Sequence, residues 1–182
     1  TVSFNSTSNP YPMDLGGILG YSSENVTLDG CDNSGDVTNN RTTAALNIYM
    51  GGLVGQMPNK ALTVKNCTMS GTLTNKASGG KATLGAVAGI CYDNTITGTH
   101  STMAVNNTYA NQYIGGFIGQ VEANKTTTIS NCSVAADVVS SGAGYSGMFV
   151  GRLTDQTKDG KITTTLTNIW VKGSFEGTAL NA

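Results

Sequence analysis

The sequence predicts an all-β fold, a parallel β-solenoid (β-helix) of about five coils of 30–35 residues, on three observations. One pattern recurs five times: LGGILGY (15–21), MGGLVGQ (50–56), LGAVAGI (84–90), IGGFIGQ (114–120) and SGMFVGR (146–152). Its first glycines, Gly16, Gly51, Gly85, Gly115 and Gly147, lie 35, 34, 30 and 32 residues apart by subtraction. A second block follows each copy and aligns without a gap: LDGCDNSGDV (28–37), VKNCTMSGTL (64–73), ITGTHSTMAV (96–105), ISNCSVAADV (129–138) and LTNIWVKGSF (166–175). All length variation falls between the blocks, and no helical periodicity appears within them. A repeat period of this size marks a solenoid or a propeller, and a propeller blade asks for about 40 residues and four strands. The solenoid is the simpler fit.

The columns of the second block justify its elements. Leu28, Val64, Ile96, Ile129 and Leu166 open it, and Val37, Leu73, Val105, Val138 and Phe175 close it; both columns should face inward. Gly30, Asn66, Gly98, Asn131 and Asn168 form a column of glycine and asparagine alone. These residue types most readily adopt a left-handed backbone, so a bend is expected there in every coil. The bend resets the strand alternation and lets Cys31, Cys67, Thr99, Cys132 and Ile169 also face in. Thr27, Thr63, Thr95, Thr128 and Thr165 should form an outward ladder on a strand, where β-branching is favoured. Pro10, Pro12 and Pro58 are expected in or beside loops, away from ladder positions.

In the glycine pattern, simple alternation puts Met50, Gly52 and Val54 on one face, small in the middle. The other face carries Ile18, Leu53, Val87, Phe117 and Phe149, with Tyr49, Tyr113 and Tyr145 one step along. Both faces are apolar, whereas a strand wetted on one side alternates apolar and polar. This aromatic and aliphatic stripe is therefore either covered by the chain's own loops or a contact surface.

Composition bounds the function. The 182 residues suit one domain, 1–182, with coils starting near 14, 49, 83, 113 and 145. Charged residues are 12%, against roughly 25% in an average soluble domain. Few charges with abundant Thr, Asn and Gly fit an extracellular or cell-surface protein. A net charge of −1 gives no electrostatic case for nucleic acid. No apolar run reaches the roughly 20 residues a membrane span needs. The chain begins at Thr1 without a signal peptide, as a mature or excised chain would.

At this point the pairing of GGLVG or GGFIG with a downstream NC…SG…L segment resembles the GLUG-motif repeats of bacterial surface proteins. The resemblance runs over about 15–177. It implies secreted or cell-surface proteins, some adhesin-like and some carrying a separate peptidase domain, whose repeats have no catalytic residues of their own. LGAVAGI and SGMFVGR depart by losing the second glycine, and the third and fifth repeats lose the cysteine.

Thr1, Val2, Ser3 and Phe4 look like the last strand of a preceding coil within residues 1–10, with Val2 and Phe4 spaced like Gly35 and Val37. Neither end shows a cap, and open solenoid ends are unpaired strand templates. The segment is read either as an excised piece or as a subunit whose Thr1–Phe4 strand pairs with a neighbour in a fibre.

The chemistry-bearing residues point elsewhere than catalysis. Cys31, Cys67 and Cys132 are expected to be buried free thiols, since side chains one coil apart run parallel. Cys91 lies outside that column. His100, the one histidine, shares a column with Asp32, Thr68, Ser133 and Trp170 and shows no adjacent nucleophile, so no triad is expected. Asp36 and Asp137 share a column three coils apart, about 14 Å by strand spacing, beyond the roughly 5–9.5 Å of a glycosidase pair. Asp29, Asp32 and Asp36 read as a solvated turn. Asn5, Asn25, Asn40, Asn106 and Asn124 fit the glycosylation sequon; Asn66 and Asn131 fit it too but sit at bends. No cofactor and no metal is expected. The expected role is non-enzymatic, structural or adhesive, through self-association end to end or with repeats of a parent protein. The alternative is a carbohydrate-binding module that stacks glycans on Tyr49, Tyr113 and Tyr145.

Overall fold

The computed structural model describes residues 1–5, 12–42, 46–108, 112–123, 126–141, 144–155 and 163–177. Strand β1 (Val2–Phe4) precedes the first coil, which contains β2 (Met13–Gly16), β3 (Leu19–Tyr21), β4 (Val26–Asp29), β5 (Asp32–Asn33) and β6 (Val37–Asn39). Coil 2 contains β7 (Asn47–Gly51), β8 (Val54–Lys65), β9 (Thr68–Met69) and β10 (Thr72–Asn75). Coil 3 contains β11 (Lys81–Gly85), β12 (Ala88–Thr97), β13 (His100–Ser101) and β14 (Ala104–Asn107). Coil 4 contains β15 (Gln112–Gly115), β16 (Ile118–Ala123), β17 (Thr127–Ala135) and β18 (Val138–Ser140). Coil 5 contains β19 (Gly144–Gly147), β20 (Val150–Asp155), β21 (Thr164–Lys172) and β22 (Phe175–Gly177). No helix long and apolar enough to cross a membrane occurs among the described residues.

Each coil contributes to three sheets. Sheet A stacks β1-β6-β10-β14-β18-β22, and sheet B stacks β2-β7-β11-β15-β19. Sheet C holds the remaining eleven strands. Pairing between successive coils is parallel and follows the columns read from sequence: Leu28 lies opposite Val64, Val64 opposite Ile96, Ile96 opposite Ile129, and Ile129 opposite Leu166. The chain is thus a parallel β-solenoid, with four steps from the first coil to the fifth. Ladder bonds run from coil to coil, so an interior strand is satisfied only with a coil on each side.

The bend column is left-handed in every coil. Gly30, Asn66, Gly98, Asn131 and Asn168 have φ of 64°, 51°, 58°, 54° and 53°. The next residue then turns inward: Cys67, Thr99 and Cys132 are buried, and Cys31 and Ile169 are partly so. The threonines stack in register, Thr27 on Thr63 on Thr95 on Thr128 on Thr165.

Three local expectations are corrected. The glycine pattern is not one strand. It breaks after Gly51 into a two-residue corner, Gly52–Leu53, between β7 and β8, with equivalent corners in the other coils. A Cβ on Gly51 would lie 1.9 Å from the Val54 carbonyl oxygen, and on Gly16, Gly85, Gly115 and Gly147 a Cβ would meet the carbonyl oxygen three residues on at 2.0, 2.5, 1.9 and 2.5 Å. The first glycine is there because the backbone folds back over it, closer than any side chain permits. Pro58 lies inside β8, not in a loop. It is tolerated because coil 2 bulges there by two residues relative to coil 3: Met57 pairs with Cys91 but Ala61 with Asp93, and Asn59 takes a φ of 55°. The register of β1 also differs from expectation by two residues. Val2, not Phe4, lies opposite Val37, and Phe4 lies opposite Asn39.

That last column holds a feature sequence reading missed. Asn39, Asn75 and Asn107 are buried and joined in a line: Asn39 Nδ2 donates to Asn75 Oδ1 at 2.7 Å, and Asn75 Nδ2 donates to Asn107 Oδ1 at 2.7 Å. Asn39 and Asn75 also each accept a backbone N–H two residues ahead, from Arg41 and Ala77. The ladder satisfies the loop entry in the core, as buried polar groups require.

Candidate functional site

The expected contact stripe does not form a surface. Leu53, Val87 and Phe117 are fully buried and Phe149 nearly so, all within the core cluster. Phe117 and Phe149 stack with ring centroids 4.6 Å apart. The corner after each first glycine brings these side chains into the interior, which is why both faces read as apolar. Only Ile18, on the first coil, remains exposed.

The tyrosines are divided. On sheet B, Tyr49 and Tyr113 are separated by the fully buried Thr83, so the aromatic row is interrupted. Tyr113 and Tyr145 are neighbours, with centroids 5.8 Å apart and planes tilted by 31°. Arg152 lies over both rings, 4.7 Å from Tyr113 and 5.6 Å from Tyr145, and its Nη1 donates to the Tyr113 hydroxyl at 2.6 Å. Lys81 Nζ lies 5.0 Å from the Tyr113 centroid. Tyr113 is engaged by two cations, and the exposed ring of this group is Tyr145, which shares Arg152 with it. Nearby, burial pushes the Tyr49 phenol up, with the charges of Glu122 and Asp14 adding to it. Burial also pushes the Tyr92 phenol up, assisted by its hydrogen bond to Glu122. Both stay neutral phenols at ordinary pH.

His100 does have a hydroxyl neighbour, contrary to the sequence reading. Its Nδ1 lies 2.9 Å from Ser133 Oγ on the next coil. Their column runs Asp32–Thr68–His100–Ser133–Trp170. The carboxylate in this row is two coils from His100 and accepts the Thr68 hydroxyl at 2.6 Å. Asp29, Asp32 and Asp36 each accept a hydrogen bond from a coil 2 residue: Asn66, Thr68 and Thr72. They act as rungs between coils. Asp137 likewise takes the Ser174 N–H and hydroxyl, and these bonds hold its carboxyl below the usual range.

The four cysteines are free. Burial pushes the Cys91 thiol up to about 12 and raises those of Cys67 and Cys132. Thiols so placed are not nucleophiles. Among the sequon residues, Asn5 and Asn25 are exposed and Asn40 and Asn106 partly so. Asn5 accepts from Asn40, and Asn25 accepts the Ala61 N–H. Asn124 lies outside the described residues.

The clearest unfilled feature is the open face of coil 5. Leu153, Leu166, Trp170, Val171 and Phe175 are exposed by 50, 45, 55, 40 and 45%. The counterparts of four of them in coil 4, Val121, Ile129, Val134 and Val138, are fully buried, whereas Trp170 lies opposite the partly exposed Ser133 in a column that faces outward in every coil. At the other end, β1 sits on β6 with Val2 and Phe4 half-buried. Thr1–Phe4 thus already uses one edge inside its own chain.

The family model of the GLUG motif matches residues 110–139, which span coil 4 from just before β15 into β18. The comparison with curated proteins and that with solved structures found no match.

Proposed function

We propose that this GLUG-motif β-solenoid is a non-enzymatic structural repeat unit of the cell exterior that works by extending its own stack. Its last coil pairs with further coils, those of a second copy in a fibre or of neighbouring repeats in a larger surface protein. The observation that carries this reading is the row Leu153, Leu166, Val171 and Phe175, exposed in coil 5 where their coil 4 counterparts Val121, Ile129, Val134 and Val138 are fully buried. Apolar residues in these positions gain stability only when another coil covers them. The low charge, the Thr- and Asn-rich surface and the GLUG motif support an extracellular setting. The wide separation of Asp36 from Asp137, and of Asp32 from His100, supports a non-enzymatic role. Glycan adhesion is the lesser reading, since Tyr145 is the one exposed ring of the expected platform and Arg152 already lies against it.

Electron microscopy of the purified chain at rising concentration tests the stacking, with Leu166→Asp beside it. Leu166 is exposed, so the variant should fold. Stacks or filaments in the parent and monomers in the variant are expected. Monomers in both at the highest concentration would defeat self-stacking.

A further inference from the structure

Of the four free cysteines, one pair meets in register. Asp29 lies opposite Lys65 and Asp32 opposite Thr68, so Cys31 and Cys67, between those pairs, face each other across adjacent coils. Parallel strands stand about 4.8 Å apart, inside the roughly 4.4–6.8 Å between Cα atoms that a disulfide accepts. No other two cysteines are so placed. Thr99 separates Cys67 from Cys132 in the same column, and Ile169 lies on the far side of Cys132. Cys91 lies on β12, opposite Met57 and Val121.

Strictly parallel side chains would keep the two sulfurs a full coil apart. The Cys67 side chain instead leans toward coil 1. Its Sγ accepts the Cys31 N–H at 3.4 Å and lies 3.7 Å from the Leu28 carbonyl oxygen, both on the other side of the gap. Cys31 Sγ stays in its own coil, 3.7 Å from the Asp29 carbonyl oxygen. The two thiols are themselves hydrogen-bond neighbours. The left-handed residue before each, Gly30 and Asn66 with φ of 64° and 51°, turns both cysteines inward at the same point of the coil. On either side of the pair, Asn66 bonds to Asp29 and Thr68 to Asp32, which holds the two coils in this register.

We propose that Cys31 and Cys67 close a disulfide during folding in an oxidising exterior, stapling coil 1 to coil 2. The oxidising setting rests on the function proposed above; the choice of partners rests on the geometry alone. An exogenous disulfide such as oxidised glutathione takes the electrons. One cysteine thiolate attacks it, releasing one thiol and leaving a mixed disulfide on the chain. The second thiolate then attacks the chain's sulfur in that mixed disulfide and releases the other thiol. The two cysteines lose two protons and two electrons, and the exogenous disulfide becomes two thiols. In the folded chain burial raises the Cys67 thiol and makes it a poor nucleophile, so the exchange runs before the core closes. The cysteines are 36 residues apart, so the bond removes much freedom from the unfolded chain.

The test refolds the reduced chain over a series of reduced-to-oxidised glutathione ratios, alkylates the remaining thiols and maps the peptides by mass spectrometry. A Cys31–Cys67 peptide is expected, with Cys91 and Cys132 alkylated and the circular dichroism spectrum equal to that of the reduced chain. Reducing the bridge should then lower the thermal midpoint by roughly 5–10 °C. Cys67→Ser should lack the bridge, and its midpoint should not respond to reductant. If that variant misfolds, the map of the parent chain decides alone. A folded chain with all four thiols alkylated at every ratio overturns the disulfide and leaves the structural role standing. Pairing through Cys91 or Cys132 overturns the choice of partners. A Cys31–Cys67 bridge that leaves the midpoint unchanged overturns the staple.

Discussion

Coils 4 and 5 are written on the same columns and live in different surroundings. Ile129 and Leu166 pair directly, yet the first is fully buried and the second nearly half exposed. Val134 and Val171 differ in the same way, as do Val138 and Phe175. Neither coil has a poorer pattern. The difference is that coil 4 has a neighbour on both sides and coil 5 on one. In a parallel solenoid the ladder bonds and much of the core contact run between coils, so stability belongs to the interfaces as much as to the repeats. The apolar pattern repeated in coil 5 is left uncovered among the described residues, and this is the surface the proposed stacking would use.

The largest test of this contrast uses one glycine column. A Cβ at Gly115 in coil 4 would meet the Ile118 oxygen at 1.9 Å and the Phe149 oxygen at 2.7 Å, so two coils crowd it. At Gly147 in coil 5 the crowding comes from Val150 alone, nearest at 2.5 Å. All these atoms are backbone and cannot rotate away. Gly115→Ala should cost more than about 3 kcal/mol, at the upper end of overpacking, and Gly147→Ala about 1–2 kcal/mol. Urea unfolding of the two variants measures it. Equal losses would mean that the corner alone, without its neighbour, sets the demand for glycine.

A smaller effect follows in the apolar column. Ile129→Ala removes a side chain from a filled core and should cost about 2–5 kcal/mol. Leu166→Ala removes one that is already half in water and should cost below about 1 kcal/mol. Similar costs for the two, rising with protein concentration for Leu166→Ala, would show that coil 5 is covered by another copy during the measurement.

Much of this architecture was legible because a solenoid writes each structural role as a column. Five residues limited to glycine and asparagine marked five left-handed bends, and Leu28 through Leu166 marked an inner wall. The corner after Gly51 was not legible by the same logic. Alternation assumes a continuous strand, and nothing in GGLVG says that the chain folds back at its second glycine. Alternation therefore puts the stripe from Ile18 to Phe149 on an outer face, to be covered by loops or by a partner, whereas the corner carries Leu53, Val87, Phe117 and Phe149 into the core. The asparagine ladder did carry a signal: Asn39, Asn75 and Asn107 each stand two residues after Val37, Leu73 and Val105, and so share their inward parity. A polar residue recurring at an inward position is a buried hydrogen-bond ladder in waiting. The contact of His100 with Ser133 was visible too, once the column was read as a line of touching side chains. The bulge at Pro58 was hidden because Met57–Ala61 falls between the aligned blocks, where no column can be read.

The smallest effect lies at the other end of the molecule, where the sheet B column that ends in Tyr145 begins with Asp14. Its Oδ1 is buried without a hydrogen-bond partner among the described residues, and burial raises its pKa from 3.8 to about 6. The folded state thus holds the proton more tightly than the unfolded chain. The sign follows: ionising Asp14 destabilises the fold, the penalty is complete above about pH 6, and it fades as the pH falls towards 4. A shift of this size would be worth about 3 kcal/mol at face value, but the group is half exposed, and screening by water brings it to about 1 kcal/mol. Asp14→Asn should therefore stabilise the chain by about 1 kcal/mol at pH 7 and leave it unchanged near pH 4. Thermal melts at the two pH values read the difference. A gain that persists at pH 4 would mean that the amide has found a partner the carboxylate lacked. A loss at pH 7 would mean that a cation sits against Asp14, and coil 1 would then owe part of its stability to a charge pair.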